Sequence, residues 1–306
     1  AIEPAHSAIR SKTMTTTANT SPKILWFDDP ACHDQAQVGG KAAHLSRLAA
    51  DYPVPPGFCL GATAFNPTHP TNAPLPEAIA AVLTVAYGML ASRCGVPFDV
   101  PVAVRSSALD EDGDLTSFAG QHETELNVAG IEAVLGAVAR CWASGRTERA
   151  LTYRRRQGLE VKGVRLAVVV QQLILADISA VVFSANPVTN DRNEVVVTAS
   201  WGLGESLVGG TATPDTWVVR KEDLGVLDEQ VGAKERMTVA VDGGAREVPV
   251  PRLLREKLSL SRAQVAQLAR LAVDLEARMG WPVDVEVAYF GEHLYLLQCR
   301  PITTLG

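Results

Sequence analysis

Between residues 283 and 300 the chain alternates in a way that leaves little choice of backbone. Val283-Asp284-Val285-Glu286-Val287 puts an apolar residue at every second position, the period of a strand with one buried face. Gly291 follows, and His293 to Arg300 returns as its hairpin partner. By the same parity Asp284 and Glu286 share a face of one strand, and Gln298 and Arg300 share a face of the other. An even register through the turn brings all four side chains to one site. A slip of one residue would put the two pairs on opposite faces. Paired acids on a strand are commonly just solvated, but these sit between three valines, beside a core. Carboxylate oxygens next to amide and guanidinium groups suit Mg²⁺ with phosphate oxygens in its other positions.

The rest of the chain mixes helices and strands. Ile24 to Phe27 is a strand candidate, and Val38-Gly39-Gly40 opens a helix that Pro53 to Pro56 closes off. Glu77 to Arg93 reads as a helix with Ile79, Val82, Val85, Ala86 and Leu90 inward. Gly130 to Arg156 reads as helical. Val102 to Val104, Arg165 to Leu175, Ile178 to Phe183 and Glu194 to Ala199 read as apolar strands. The clearest helix runs from Arg262 to Met279: Ser261 and Gln264 form a capping-box pattern, Val265, Leu268, Ala272, Leu275 and Met279 make the apolar stripe, and Gly280 and Pro282 stop it. The class is therefore α+β. The adjacent amides at Gln171 and Gln172 mark a lobe boundary, giving lobes of 23–172 and 173–306 after a polar, Thr-rich segment 1–22 that reads as a disordered tail or vector leader.

Composition excludes several functions. The 306 residues carry a net charge of −6, and the densest basic cluster, Arg154-Arg155-Arg156, reads as a solvated helix face, so no nucleic-acid partner is expected. The five cysteines are scattered and lack a C-x-x-C step, which fits a reducing, cytoplasmic compartment rather than a disulfide frame or zinc site. The apolar stretch from Ala167 to Phe183 is broken by Gln171, Gln172 and Asp177, so no membrane span is expected.

Other segments point toward an anionic ligand. Gly39-Gly40-Lys41 lacks P-loop spacing, yet glycines ahead of a helix leave N–H groups open to an anion and Lys41 adds a charge. Taken singly, a Gly-Gly turn with a lysine is common. Arg105 ends a buried strand, where its guanidinium can fork onto phosphate oxygens or pair with an acid of the following loop. Thr116-Ser117-Phe-Ala-Gly120-Gln121 has the small residues and hydroxyls of a loop that can close over phosphates. Trp201-Gly202-Leu-Gly204-Glu205-Ser206 has the wrong order for a nucleophile elbow, so a serine hydrolase is not expected.

Read in order, VGGKAAHLSRL, VPPGF, VAVRSSALDED, SFAGQHETELNV, VVVQQLI, FSANPVT, GLGES, PVDVEVA and LLQCRPIT resemble the ATP-binding domain of the phosphoenolpyruvate synthase and pyruvate phosphate dikinase family, which rifampin phosphotransferase also carries. The resemblance covers nearly everything from Val38 to Thr303. It implies an ATP-grasp fold, two lobes with ATP and Mg²⁺ in the cleft between them. By motif match, Lys41 and Arg105 would hold phosphates, and Thr116, Ser117, Gly120 and Gln121 would belong to a lid. Gln171, Gln172 and Leu173 would line the adenine hinge. Asp284 would lie near the nucleotide, Glu286 and Gln298 at the metal, and Arg300 on a terminal phosphate, with Glu205 a weaker carry-over. In such enzymes the β,γ-pyrophosphoryl group passes to a histidine on a separate swivelling domain, leaving AMP; phosphate is released, and the phosphohistidine then serves a small-molecule acceptor. The swivelling domain's motif is absent from this chain. A stand-alone ATP-grasp ligase or small-molecule kinase, or a nucleotide-binding adaptor without turnover, are the alternative readings.

Overall fold

A computed structural model describes residues 22–65, 70, 73–109, 124–156 and 165–305. In chain order its elements are β1 (Ile24–Trp26), α1 (Gln35–Leu48), β2 (Gly57–Leu60), α2 (Glu77–Arg93), β3 (Val102–Ala108), β4 (Thr124–Val128), α3 (Ile131–Ser144), α4 (Glu148–Arg156) and β5 (Leu166–Gln172). Then come β6 (Ile178–Phe183), β7 (Glu194–Trp201), α5 (Glu205–Val208), β8 (Asp215–Arg220), β9 (Val226–Gln230), β10 (Arg236–Val241) and β11 (Gly244–Pro249). The series ends with α6 (Arg252–Arg255), α7 (Arg262–Met279), β12 (Val283–Phe290) and β13 (His293–Pro301).

Among the described residues the strands form two large sheets and a hairpin. The first sheet has the order β1-β2-β5-β3-β4, the second β13-β12-β6-β7-β8-β9, and β10 pairs with β11 alone. Strand alternation divides the first sheet between two cores. Phe58, Leu60, Val102, Val104, Val168 and Val170 face α2 and α3. Cys59, Ala167 and Val169 face the other way, into the core that holds α1. That second core continues without a break into the second sheet through Val182, Val197, Val283, Val285 and Val287, and there α7 covers it with Val265, Leu268, Ala272 and Leu275. Helix α1 is therefore the wedge between the sheets, packed on β3 and β5 of one and on β13 of the other. The acidic face of β12, opposite its valines, is left turned toward the space between the two sheets.

Local sequence explains the elements that hold this arrangement. Ser261 and Gln264 make both arms of the capping box at the start of α7, and Gly280 closes it at φ 79°, a left-handed cap that a side chain would resist. The C-terminal hairpin takes the even register: Asp284 pairs with Arg300 and Glu286 with Gln298. The pairing then shifts, because Val287 opposes Leu296 and leaves Leu297 as a bulge.

Some sequence expectations need correction. In α2 the buried stripe is Ile79, Leu83, Ala86, Tyr87 and Leu90. Val85, expected inward, is 64% exposed; with apolar residues on nearly every side of this helix, periodicity alone does not select the buried face. The helical stretch from Gly130 breaks at Gly145 into α3 and α4. Arg154, assigned to a solvated face, is buried, whereas Arg155 is exposed beside Glu148. No described helix is long and apolar enough to cross a membrane.

Candidate nucleotide site

Side chains from both sheets converge on one cavity of about 460 Å³, within the range of sites for small organic ligands. Lys41 enters from α1, Ala103 and Arg105 from β3, Thr124 and Leu126 from β4, and Gln171 and Gln172 from β5. From the other side come Ser179 and Val181 on β6, the segment Leu203 to Glu205, and Glu286, Gln298 and Arg300 on the C-terminal hairpin.

Lys41 reaches the cavity because α1 is broken at Gly39, whose φ of 74° and ψ of 169° lie outside the helix. A Cβ there would sit 2.4 Å from Ser107 Oγ and 2.7 Å from Ser107 O. The missing side chain lets the start of the helix lie directly on the end of β3, so that Lys41 and Arg105 border the same space. Gly39→Ala is expected to cost more than the roughly 1–3 kcal/mol of backbone strain alone, because the added Cβ also overlaps the carbonyl oxygens of Ser107 and Ala108. Gly88→Ala is the control, since Gly88 lies in the middle of α2 with nothing within 4 Å of an added Cβ; it should gain up to about 1 kcal/mol. Urea unfolding of the two variants measures both.

Arg105 sits with one guanidinium nitrogen 4.0 Å from Glu286 Oε2, and both side chains are mostly shielded, at 15% and 18% exposure. Arg105 Nε is buried without a hydrogen-bond partner among the described residues. A buried donor in that state favours an acceptor supplied from the cavity. Across the hairpin, Glu286 and Gln298 stand opposite each other and both line the cavity. Their carboxylate and amide oxygens are hard donors of the kind Mg²⁺ accepts. Among the described residues no group of three His, Cys, Asp or Glu side chains could hold a metal, so an ion here would draw its other oxygens from ligand or water.

Asp284 shares the face of Glu286 but is not among the residues lining the cavity. Its Oδ2 accepts from Arg300 Nε at 2.9 Å and lies 2.8 Å from a terminal guanidinium nitrogen of the same side chain. Burial pushes the Asp284 carboxyl up to about 6, opposed by Arg300 and reinforced by the charge of Glu286. Its direct part is to hold Arg300 at the cavity wall.

At the other end, Gln171, Gln172 and Leu173 all line the cavity. The Gln171 side-chain amide donates to Pro55 O at 3.2 Å, Gln172 N to Pro56 O at 2.9 Å, and Leu173 N to Pro101 O at 2.8 Å. The segment is thereby pinned between two proline-containing stretches that precede β2 and β3. Thr116, Ser117, Gly120 and Gln121, expected in a lid, lie outside the described residues. Thr124 and Leu126 were not singled out in the sequence, although the alternation Thr-Glu-Leu-Asn-Val is a short strand pattern whose odd members could have been noticed. Glu205 does reach the cavity.

A family model described as the pyruvate phosphate dikinase, AMP/ATP-binding domain, matches residues 68–306. The chain belongs to this family. With it goes the two-lobed ATP-grasp arrangement that the paired sheets display. A probable phosphoenolpyruvate synthase from Methanocaldococcus jannaschii is 38% identical over 318 residues, covering 92% of this chain and 27% of that protein. The phosphoenolpyruvate synthase of Pyrococcus furiosus is 35% identical over 358 residues, covering 92% of this chain and 44% of that protein. A rifampicin phosphotransferase from Streptomyces sviceus is 38% identical over 301 residues, covering 88% of this chain and 34% of that protein. The chain thus spans less than half the length of each of these curated relatives.

Proposed function

We propose that this chain is the nucleotide-binding part of a dikinase-type phosphotransferase. It would pass the β,γ-pyrophosphoryl group of Mg-ATP to a histidine on a separate swivelling domain, leaving AMP, with phosphate then released from that histidine. The observation that carries this reading is the convergence of Lys41, Arg105, Glu286, Gln298 and Arg300 on the walls of one cavity. Three cations and two hard oxygen donors, drawn from three distant parts of the chain, match what a metal-bound triphosphate requires.

In this reading ATP lies across the cleft with its adenine against Gln171, Gln172 and Leu173. Lys41 from the α1 side and Arg300 from the hairpin side hold the phosphate chain. Arg105, whose buried Nε has no acceptor among the described residues, would donate to a phosphate oxygen. Glu286 and Gln298 would hold Mg²⁺, which when bound neutralises charge on the phosphate oxygens. Asp284 acts on the nucleotide through Arg300. Phosphoryl transfer asks a protein mainly to position groups and stabilise charge, and this side-chain set is suited to both. We assign the lid to Thr116, Ser117, Gly120 and Gln121, and the lobes to 23–172 and 173–306.

The greater length of the relatives supports a histidine-bearing domain and an acceptor site outside this chain. The absence of any disulfide among the five cysteines supports a cytoplasmic setting. A direct test mixes the chain with Mg-ATP and a separately produced swivelling domain of a phosphoenolpyruvate synthase. AMP and an acid-labile phosphohistidine are expected. ADP formed without that domain would favour a stand-alone ligase or kinase, and binding without turnover in either setting would favour an adaptor.

A further inference from the structure

We propose that His44 is a positioning residue that sets the separation between the two phosphate-directed walls of the cavity. The inference rests on the reading of the site given above. Lys41 and His44 are three residues apart on α1, so they lie on neighbouring parts of one helix face. Lys41 borders the cavity, while His44 is 6% exposed and its Nδ1 is 3.2 Å from the carbonyl oxygen of Cys299. Cys299 stands between Gln298 and Arg300, both of which line the cavity. One side chain thus ties the helix carrying Lys41 to the strand carrying the other two groups.

A carbonyl oxygen can only accept, so in this contact the ring presents Nδ1–H to Cys299. Burial, with the nearby charge of Arg47, pushes the His44 pKa down to about 4, in keeping with a neutral ring. Trp281 lies against the imidazole, ring centroids 5.5 Å apart and tilted by 53°, which limits rotation of the donor away from Cys299.

The position on β13 matters because β13 is an edge strand of its sheet among the described residues. Its outer row of backbone groups has no strand neighbour and needs other partners. Two are supplied from the region of α1: Leu296 N donates to Pro53 O at 3.0 Å, and Cys299 O accepts from His44. These ties bracket Leu297 and Gln298, the bulge and the candidate metal ligand. The Leu296 tie runs between backbone groups. The Cys299 tie uses a side chain and can be removed by substitution.

The experiment compares ATP and adenosine binding by calorimetry in the full chain carrying His44→Phe or His44→Asn. Phenylalanine keeps the ring beside Trp281 and lacks the donor; asparagine keeps a donor and lacks the ring. His44→Phe is expected to weaken Mg-ATP binding about tenfold, the scale of one hydrogen bond, with adenosine affinity unchanged. His44→Asn is expected to stay within about threefold of the parent, the residue of a donor set at a slightly different reach. If His44→Phe does not fold, His44→Leu gives the same comparison without the ring's bulk. Unchanged ATP affinity in the donor-less variants would overturn the proposal, as would an equal loss for ATP and adenosine, which marks a general structural role. A parent chain that binds neither ligand would overturn the site reading, and this inference with it.

Discussion

Asp215→Ala is expected to destabilise the protein by about 3–5 kcal/mol, the cost of leaving a buried charge without its partner. Asp215 and Lys234 are both fully buried and form an ion pair. Asp215 Oδ1 also accepts from Gly232 N at 2.8 Å, and Oδ2 accepts from Ser259 N at 2.7 Å and Ser259 Oγ at 2.8 Å. The carboxylate thus joins the start of β8, the link from β9 to β10, and the approach to α7. Removing it strands a buried ammonium, which would keep only Gly232 O at 2.9 Å, and frees three further donors. Lys234→Met is expected to cost less, because the carboxylate would retain its donors from Gly232 and Ser259. Urea denaturation of both variants gives the order. A domain's total stability is commonly about 5–15 kcal/mol, so the Asp215 variant should show a large drop in midpoint. Equal midpoints for the two variants would mean that the three N–H and O–H donors contribute nothing beyond the ion pair.

Nothing in the sequence marks that pair, and the reason is physical. Asp215 and Lys234 are distant along the chain, and each alone reads as an ordinary surface charge. The strands around them are equally quiet: β9 and β11 are exposed or half-buried throughout, and a strand wetted on both faces carries no alternation to read. The C-terminal hairpin is the opposite case. Val283, Val285 and Val287 face the core, so parity places Asp284 and Glu286 on the other face, and the observed register brings Gln298 and Arg300 to it. Parity gives the face but not the depth along it; that Glu286 reaches the cavity while Asp284 is held by Arg300 depends on where the first sheet and α1 close the space. α7 was legible because its caps and its stripe agree. α2 was legible in extent and, through Ile79, Ala86 and Leu90, in most of its facing; Val85 is the exception, exposed on a helix with apolar residues around much of its circumference. Lys41 could be noticed as a charge beside a glycine break in its helix; Arg105, read as the end of a strand, instead lies in the middle of β3, which runs on to Ala108. That Gly39 lets them share a wall is a tertiary fact, set by the contact with Ser107.

Arg300→Ala is expected to weaken Mg-ATP binding or turnover by roughly 10²–10³-fold, the range for removing a preorganised donor from developing or fixed negative charge. The loss has two sources that must be separated. The guanidinium borders the cavity, and it also covers the buried carboxylate of Asp284. Alanine at 300 would therefore remove the proposed phosphate ligand and leave a buried acid uncovered, which lowers stability as well. Pairing it with Asp284→Asn removes the uncovered charge, so the double variant should regain much of the unfolding midpoint without regaining ATP binding. Arg300→Lys should fail to rescue binding in full, because an ammonium cannot span Asp284 and a phosphate with the fork of a guanidinium. Glu286→Gln offers the contrast on the opposite strand. It keeps the shape and one oxygen, removes the charge facing Arg105 at 4.0 Å, and should weaken ATP binding mainly when Mg²⁺ is present. Calorimetry with and without Mg²⁺ distinguishes the two groups: the Arg300 loss should persist in the presence of a chelator, and the Glu286 loss should largely disappear. Similar losses under both conditions would remove Glu286 from the metal role while leaving Arg300 in place on the phosphate.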